Sequence, residues 1–258
     1  MKHFFVAFSL MAMMTLMSCQ VQVGEKEWSL GGVGSKNDTP TQVDQLGQVT
    51  TMSAFDEVNV AGPFNVIYDQ GEGYTVRVEG TAEQLEKITI YVKENALYID
   101  RRDTKNNDFQ GLQIFVTSPV IEEIEIAGSS KVTAPKLIKT NKLTLDVAGS
   151  GQITLAQLEC GEFKTDVAGS GSIVTGPVQA TTVKTDIAGS GKVEVAALVC
   201  KTIDNDIAGS GKVTFNNLNV DHVKSDIAGS GKVILNGKVG SHSEDIAGSG
   251  KVDISGLK

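Results

Sequence analysis

A six-residue phrase, Asp-Val/Ile-Ala-Gly-Ser-Gly, begins at Asp146, Asp166, Asp186, Asp206, Asp226 and Asp245. The first five starts are 20 residues apart and the last interval is 19. A fainter copy, EIAGSS, occupies Glu125–Ser130. A fixed period of this length marks stacked structural units, each of which buries its apolar face only against its neighbours. Other repeat folds fail on period. A β-propeller blade needs about twice the length, and a calcium-binding β-roll needs a nine-residue period carrying GGxGxD.

Counting from the aspartate, position 2 is Val or Ile throughout, as in Val147 and Ile187. Position 8 is Ile or Val, and position 10 is apolar except at Thr175. Position 13 supplies Leu158, Val178, Leu198 and Leu218; position 15 supplies Cys160, Ala180, Cys200 and Val220; position 18 supplies Phe163, Val183, Ile203 and Val223. The pairs 8/10, 13/15 and 18/2 each alternate with the period of a strand, and β-branched residues suit that geometry. Gly-Ser-Gly makes one corner, where glycine tolerates positive φ, and position 11 makes a second. The predicted fold is all-β: a single-stranded parallel β-helix of about 20 residues and three short strands per coil. Right-handed winding is expected from the handedness of parallel crossovers.

The segment from Phe55 to Pro119 lacks the phrase. It reads as strand, turn and strand, then a short helix at TAEQLEKI, then a hairpin turning near Glu94-Asn95. These are expected to be larger, irregular coils that cap the N-terminal end.

The chain opens MKHFFVAFSLMAMMTLMSC, with Lys2 before an apolar run too short to span a membrane comfortably. Leu16-Met17-Ser18-Cys19 has the form of a lipobox, so Cys19 is the expected lipidation site and first mature residue. The expected organisation is a lipoprotein signal peptide at 1–18, a flexible tether at 19–48 holding GGVG and Trp28, and a β-helix domain at 49–258. The formal charge of -8, which loss of Lys2 takes to -9, argues against nucleic acid and anionic lipid as partners.

Each motif carries a functional and a structural reading. Stacked aspartates about 4.8 Å apart repel and need compensation. Their own corner amides, Lys192, Lys212, Lys232 and Lys251 at position 7, or Lys164, Lys184 and Lys224 at position 19 could supply it. The functional alternative is Ca²⁺ held between coils by Asp146, Asp166, Asp186, Asp206, Asp226 and Asp245, since hard cations take carboxylate oxygens. Otherwise no cofactor is expected. Gly-Ser-Gly-Lys is not a phosphate loop, because Asp186 and Val193 stand where that motif needs glycine and Ser/Thr. His222 and His242 both fall at position 17, predicting solvent-facing neighbours. Cys160 and Cys200 lie two coils apart, about 9.6 Å, beyond disulfide reach, so both are expected to be buried free thiols. All four tyrosines, Tyr68, Tyr74, Tyr91 and Tyr98, precede the regular coils and are the candidate sugar-stacking residues. The last coil presents an open sheet edge, so self-association through it is a further expectation.

The stretch FDEVNVAGPFNVIYDQGEGYTVRVEG (Phe55–Gly80), the hairpin end ALYID (Ala96–Asp100) and the D-I/V-A-G-S-G coils resemble the autotransporter-adhesin head GIN domain family. The resemblance covers residues 50–258. It implies a β-helix on a Gram-negative envelope lipoprotein with a role in attachment, and it brings no motif-defined site. The expected function is therefore a lipid-anchored, non-catalytic adhesion or binding protein of the cell envelope and outer membrane, with a protein or glycan partner. A polysaccharide-acting enzyme is the alternative, as is a structural subunit polymerising through coil ends. An enzyme would need converging carboxylates with arginine or Ca²⁺ in a cleft, and the chain has only Arg77, Arg101 and Arg102.

Overall fold

Alternating β-branched residues on a 20-residue period wind the chain into a parallel β-solenoid of about seven turns. The computed structural model describes Val43, residues 45–102 and residues 108–258. Cys19, the signal segment and most of the expected tether lie outside the described residues. Successive coils pair in register: Asp146 stands opposite Asp166, Asp166 opposite Asp186, and Val167 opposite Ile187. The early repeats hold two eight-residue strands each, such as Lys142–Gly149 and Gln152–Glu159. From Lys192 onward a repeat is one long strand, as in Lys192–Gly209, and only the Gly-Ser-Gly corner interrupts it. Three separate short strands per coil were expected. One corner instead bends within a strand in the early repeats, and in the later ones both do.

The inward columns are positions 2, 8, 10, 13 and 18, where Ile153, Leu155, Leu158 and Phe163 are 0–1% exposed. Position 15 is only partly inward, with Cys160 half-buried and Cys200 buried. A sixth column, position 20, was not assigned from sequence. It holds Leu145, Thr165, Thr185, Asn205 and Ser225, all buried. Strand alternation requires it, since residues 18, 20 and 2 of one strand share a face. Its polar members bond along the column: Thr165 Oγ1 donates to Thr185 Oγ1 at 3.2 Å, and Asn205 Nδ2 donates to Ser225 Oγ at 3.2 Å.

Both corner glycines are needed, for different reasons. Gly169 adopts φ 114°, and a Cβ there would stand 2.7 Å from the Gly149 carbonyl oxygen. Gly171 has an ordinary φ, but its Cβ would meet Val147 Cγ1 at 2.4 Å, so the second glycine makes room for the core of the preceding coil.

The N-terminal end is built from β1 (Val49–Thr51), β2 (Glu57–Gly62), β3 (Asn65–Gln70), β4 (Thr75–Glu79), α1 (Ala82–Glu86), β5 (Ile88–Lys93), β6 (Ala96–Arg101) and β7 (Gln113–Ser118). β2 lies between β6 and β8 (Glu123–Gly128), parallel to both. β4 runs antiparallel to β7 and β1, and β5 runs antiparallel to β6. The cap is thus closed by antiparallel strands as well as by coils. Glu94 and Asn95, with φ 52° and 67°, make the tight β5–β6 turn. A capping box between Thr81 and Gln84 starts the predicted helix.

The 19-residue interval falls where the register shifts between Phe215 and Leu218. His222 consequently pairs with Ser241, and His242 pairs with Val223. The expectation that the two histidines are lateral neighbours is corrected: the deletion sets His242 opposite Val223, although both histidines stay exposed as expected. His222 Nδ1 instead meets Ser241 Oγ at 2.6 Å.

Candidate binding face

The aspartate and alanine of the phrase lie on one outward sheet face, with the Val or Ile between them turned inward, and pairing along the stack defines its columns. Position 1 runs Tyr91, Tyr98, Asn59, Glu125, Asp146 and then the remaining aspartates to Asp245. Position 3 begins Thr89, Asp100, Ala61, Ala127 and continues as alanine. Position 19 runs Glu57, Glu123, Thr144, Lys164, Lys184, Asp204 and Lys224.

The position-19 lysines meet the aspartates. Lys164 Nζ lies 2.6 Å from Asp166 Oδ2, Lys184 lies 3.3 Å from Asp186 and 3.8 Å from Asp206, and Lys224 pairs with Asp226. The position-7 lysines lie beyond the corner and pair elsewhere: Lys192 with Glu194 at 2.6 Å, Lys232 with Asp253 at 3.2 Å. Thr144 replaces lysine beside Asp146, whose Oδ1 is buried without a hydrogen bond. Burial, then proton sharing with Asp166 and the charges of Asp166 and Glu123, raise Asp146 to about 8. Burial and Asp166 raise Asp186 to about 6. Burial pushes Asp166 up as well, but hydrogen bonds from Lys164, Asp146 and Asp186 outweigh it and leave its carboxyl low. Among the described residues no three His, Cys, Asp or Glu side chains form a group that could hold a metal ion. From Asp146 to Asp226 the carboxylates of the column are engaged with lysine or with each other.

The serine column is exposed, and its backbone amides tie the corner together, as Ser170 N–H donates to Gly149 O at 2.8 Å. Cys160 and Cys200 are free thiols, and burial pushes each to about 12.

The tyrosines divide. Tyr68 is a core residue, 1% exposed, with its hydroxyl 3.0 Å from Ser118 Oγ. The expectation that Tyr68 could stack on a sugar is corrected, because no ligand reaches a ring that β3 turns inward. Tyr74 packs edge-on against Phe55 with centroids 5.4 Å apart. Tyr91 and Tyr98 are partly exposed and stack across the hairpin, centroids 5.1 Å apart and planes inclined 14°. Tyr91 Oη donates to Asp100 Oδ2 at 3.4 Å, and burial raises Asp100. A shallow groove lined by Ala61, Pro63, Asp100, Arg101, Ala127 and Ser129 borders the pair.

Sequence reasoning placed Glu125 in a fainter copy of the phrase but missed Asn59, Asp100 and Glu123 as members of this face. The signal was present in Val58-Asn59-Val60-Ala61-Gly62, a copy of the repeat phrase with asparagine in the aspartate slot.

No helix among the described residues is long and apolar enough to cross a membrane. The fold resembles solved structures at low identity. A "putative adhesin" from Bacteroides fragilis aligns with TM-score 0.73 at 19% identity, covering 83% of this chain and 96% of that one. A "putative lipid binding protein" from Parabacteroides distasonis aligns with TM-score 0.67 at 21% identity, covering 84% and 97%. A "putative adhesin" from Parabacteroides merdae aligns with TM-score 0.58 at 18% identity, covering 84% and 96%. No curated protein sequence matches. Residues 54–217 and 207–258 match the family described as "Putative auto-transporter adhesin, head GIN domain". Together these segments span the solenoid and its cap, and the chain belongs to that family.

Proposed function

We propose that this protein is a lipid-anchored, non-catalytic adhesion module of the outer membrane, with Cys19 carrying the lipid and the solenoid presenting a binding face. The observation that carries the reading is the change of chemistry along one column of that face. Through the regular coils the column is aspartate, matched by lysine on the same face, as architecture demands. At the cap it becomes the partly exposed stack of Tyr91 and Tyr98, the kind of surface that supplies contact area in recognition. The adhesin description of the family supports the same reading. The P. distasonis structure's lipid-binding name suits a surface contact better than an internal one, because side chains at 0–3% exposure fill the solenoid.

The test compares cells expressing the full chain, Cys19→Ala and a deletion of residues 49–258 for membrane fractionation and surface attachment. The proposal expects Cys19→Ala to leave the membrane fraction and both variants to lose attachment. Wild-type-like attachment of the deletion variant would sink it. Release of sugar from polysaccharide by the purified chain would move the protein to the enzyme class.

A further inference from the structure

The stacked tyrosines are not symmetric in what surrounds them. Rings inclined 14° with centroids 5.1 Å apart overlap face to face, so they stand upright on the sheet with their faces along the stack. One face of Tyr98 is covered by Tyr91. The other looks toward the neighbouring strand β2, where its partner is Asn59, and one strand further stands Glu125. Asn59 is short, lying between a tyrosine and a glutamate. Two strand spacings separate Tyr98 from Glu125, roughly 9.6 Å. A ring contact of about 4 Å on the tyrosine face and a hydroxyl hydrogen bond of about 2.8 Å to the carboxylate leave room for one sugar ring.

The polar groups lining this gap are uncommitted. Asn59 and Glu125 are both partly buried, and neither makes a side-chain hydrogen bond or ion pair to the described residues. Further along the column Asp166, Asp186 and Asp226 hold lysines instead. Burial, reinforced by Glu123, raises the Glu125 carboxyl, as befits an acid held close to its neighbours with no cation to answer it. Glu123, the position-19 residue on the strand of Glu125, is also acidic. An anionic ligand is therefore repelled, while a polyhydroxylated one finds an aromatic face, an amide and a carboxylate acceptor together. A separate shallow groove along Ala61 and Ala127, which also carries Asp100 and Arg101, lies two residues further toward the corner on the same strands.

We propose that the gap between Tyr98 and Glu125, floored by Asn59, is a subsite for one uncharged pyranose unit of a glycan. This rests on the adhesion reading above and names its ligand class.

The experiment presents the full chain to an immobilised panel of neutral and acidic oligosaccharides, then titrates the best neutral binder. Neutral members are expected to bind and acidic ones not. Tyr98→Ala is expected to weaken binding about tenfold or more, as loss of a central aromatic contact does. Because Tyr98→Ala also unstacks Tyr91, Asn59→Tyr is the second variant: it fills the gap, leaves the stack intact, and should abolish binding with an unchanged melting temperature. Tyr74→Phe, remote from the gap, should bind as wild type. Neutral-glycan binding that survives both Tyr98→Ala and Asn59→Tyr overturns the subsite, as does a panel that binds only acidic sugars. An empty panel beside normal surface attachment also overturns it and leaves the adhesion reading standing. An empty panel with no attachment removes both.

Discussion

Lys164 Nζ sits 2.6 Å from Asp166 Oδ2, two residues along the same outward face, while the equivalent place beside Asp146 holds Thr144. One substitution in the lysine column thus leaves a stacked carboxylate pair with a single cation. The folded state answers by keeping a proton on Asp146, raised to about 8, and by raising Asp186 to about 6.

That arrangement predicts a pH dependence of unusual sign. The fold binds these two protons more tightly than the unfolded chain, so their contribution to stability is complete below about pH 4. It fades as pH rises through about 6 for Asp186 and about 8 for Asp146. Asp166 and Asp253 are lowered, and their contributions are lost only in acid, as pH falls below the ordinary carboxylate range. The melting temperature should therefore decline between about pH 4 and pH 8. Asp146→Asn should remove the upper part of that decline and leave the step near 6. A wild-type profile that rises over this range contradicts the assignment.

The corner glycines predict a steric coupling. Gly171→Ala drives a Cβ to within 2.4 Å of Val147 Cγ1, and overpacking of this kind costs about 1–3 kcal/mol. Val147→Ala alone opens a cavity and also destabilises. The double variant should be more stable than the sum of the two losses, because the new methyl occupies the space vacated. Chemical denaturation of the four proteins measures the coupling, and simple additivity would refute it.

Asn205 offers a stabilising substitution. Its Nδ2 donates to Ser225 Oγ and to Lys224 O, but its Oδ1 is buried without a partner. Leaving a buried acceptor unsatisfied costs about 1–3 kcal/mol. Thr165 and Thr185 occupy the same column in the preceding coils, fully buried and bonded to each other. Asn205→Thr extends that column and should raise stability by about 1 kcal/mol. A loss instead would mean that the amide's two donated bonds outweigh its stranded oxygen.

The solenoid was legible because its signals are local and repeated: Val147, Val167 and Ile187 recur at one spacing, and the Asp-Val/Ile-Ala-Gly-Ser-Gly corner recurs with them. Three things escaped. The position-20 column is polar, and Thr165 or Asn205 reads as surface until its neighbours along the strand are seen to face inward. The lysine partner of the aspartates was ambiguous between positions 7 and 19, because a corner of unknown angle lies between Asp186 and Lys192. The pairing of Asn59 with Tyr98 and Glu125 joins strands that are not consecutive in sequence, and β2 reaches its place between them only through the excursion that builds the cap.

The tyrosines allow structure and binding to be separated. Tyr68 lies 1% exposed with its hydroxyl 3.0 Å from Ser118 Oγ, and burial, with Asp69 adding, raises it to about 12 despite that bond. Ser118 Oγ also donates to Val120 O at 2.7 Å, so the hydroxyl pair ties β3 and β7 to the turn that leads into β8. Tyr68→Phe keeps the ring and strands the Ser118 lone pair, at a cost of about 1 kcal/mol. Tyr91→Phe loses only a 3.4 Å bond at a partly exposed site and should cost much less. The expected pattern is a melting temperature lowered by Tyr68→Phe and nearly unmoved by Tyr91→Phe, with glycan binding unchanged by the first. Loss of binding in Tyr68→Phe at full stability would place the ligand contact in the cap interior and not on the outward face.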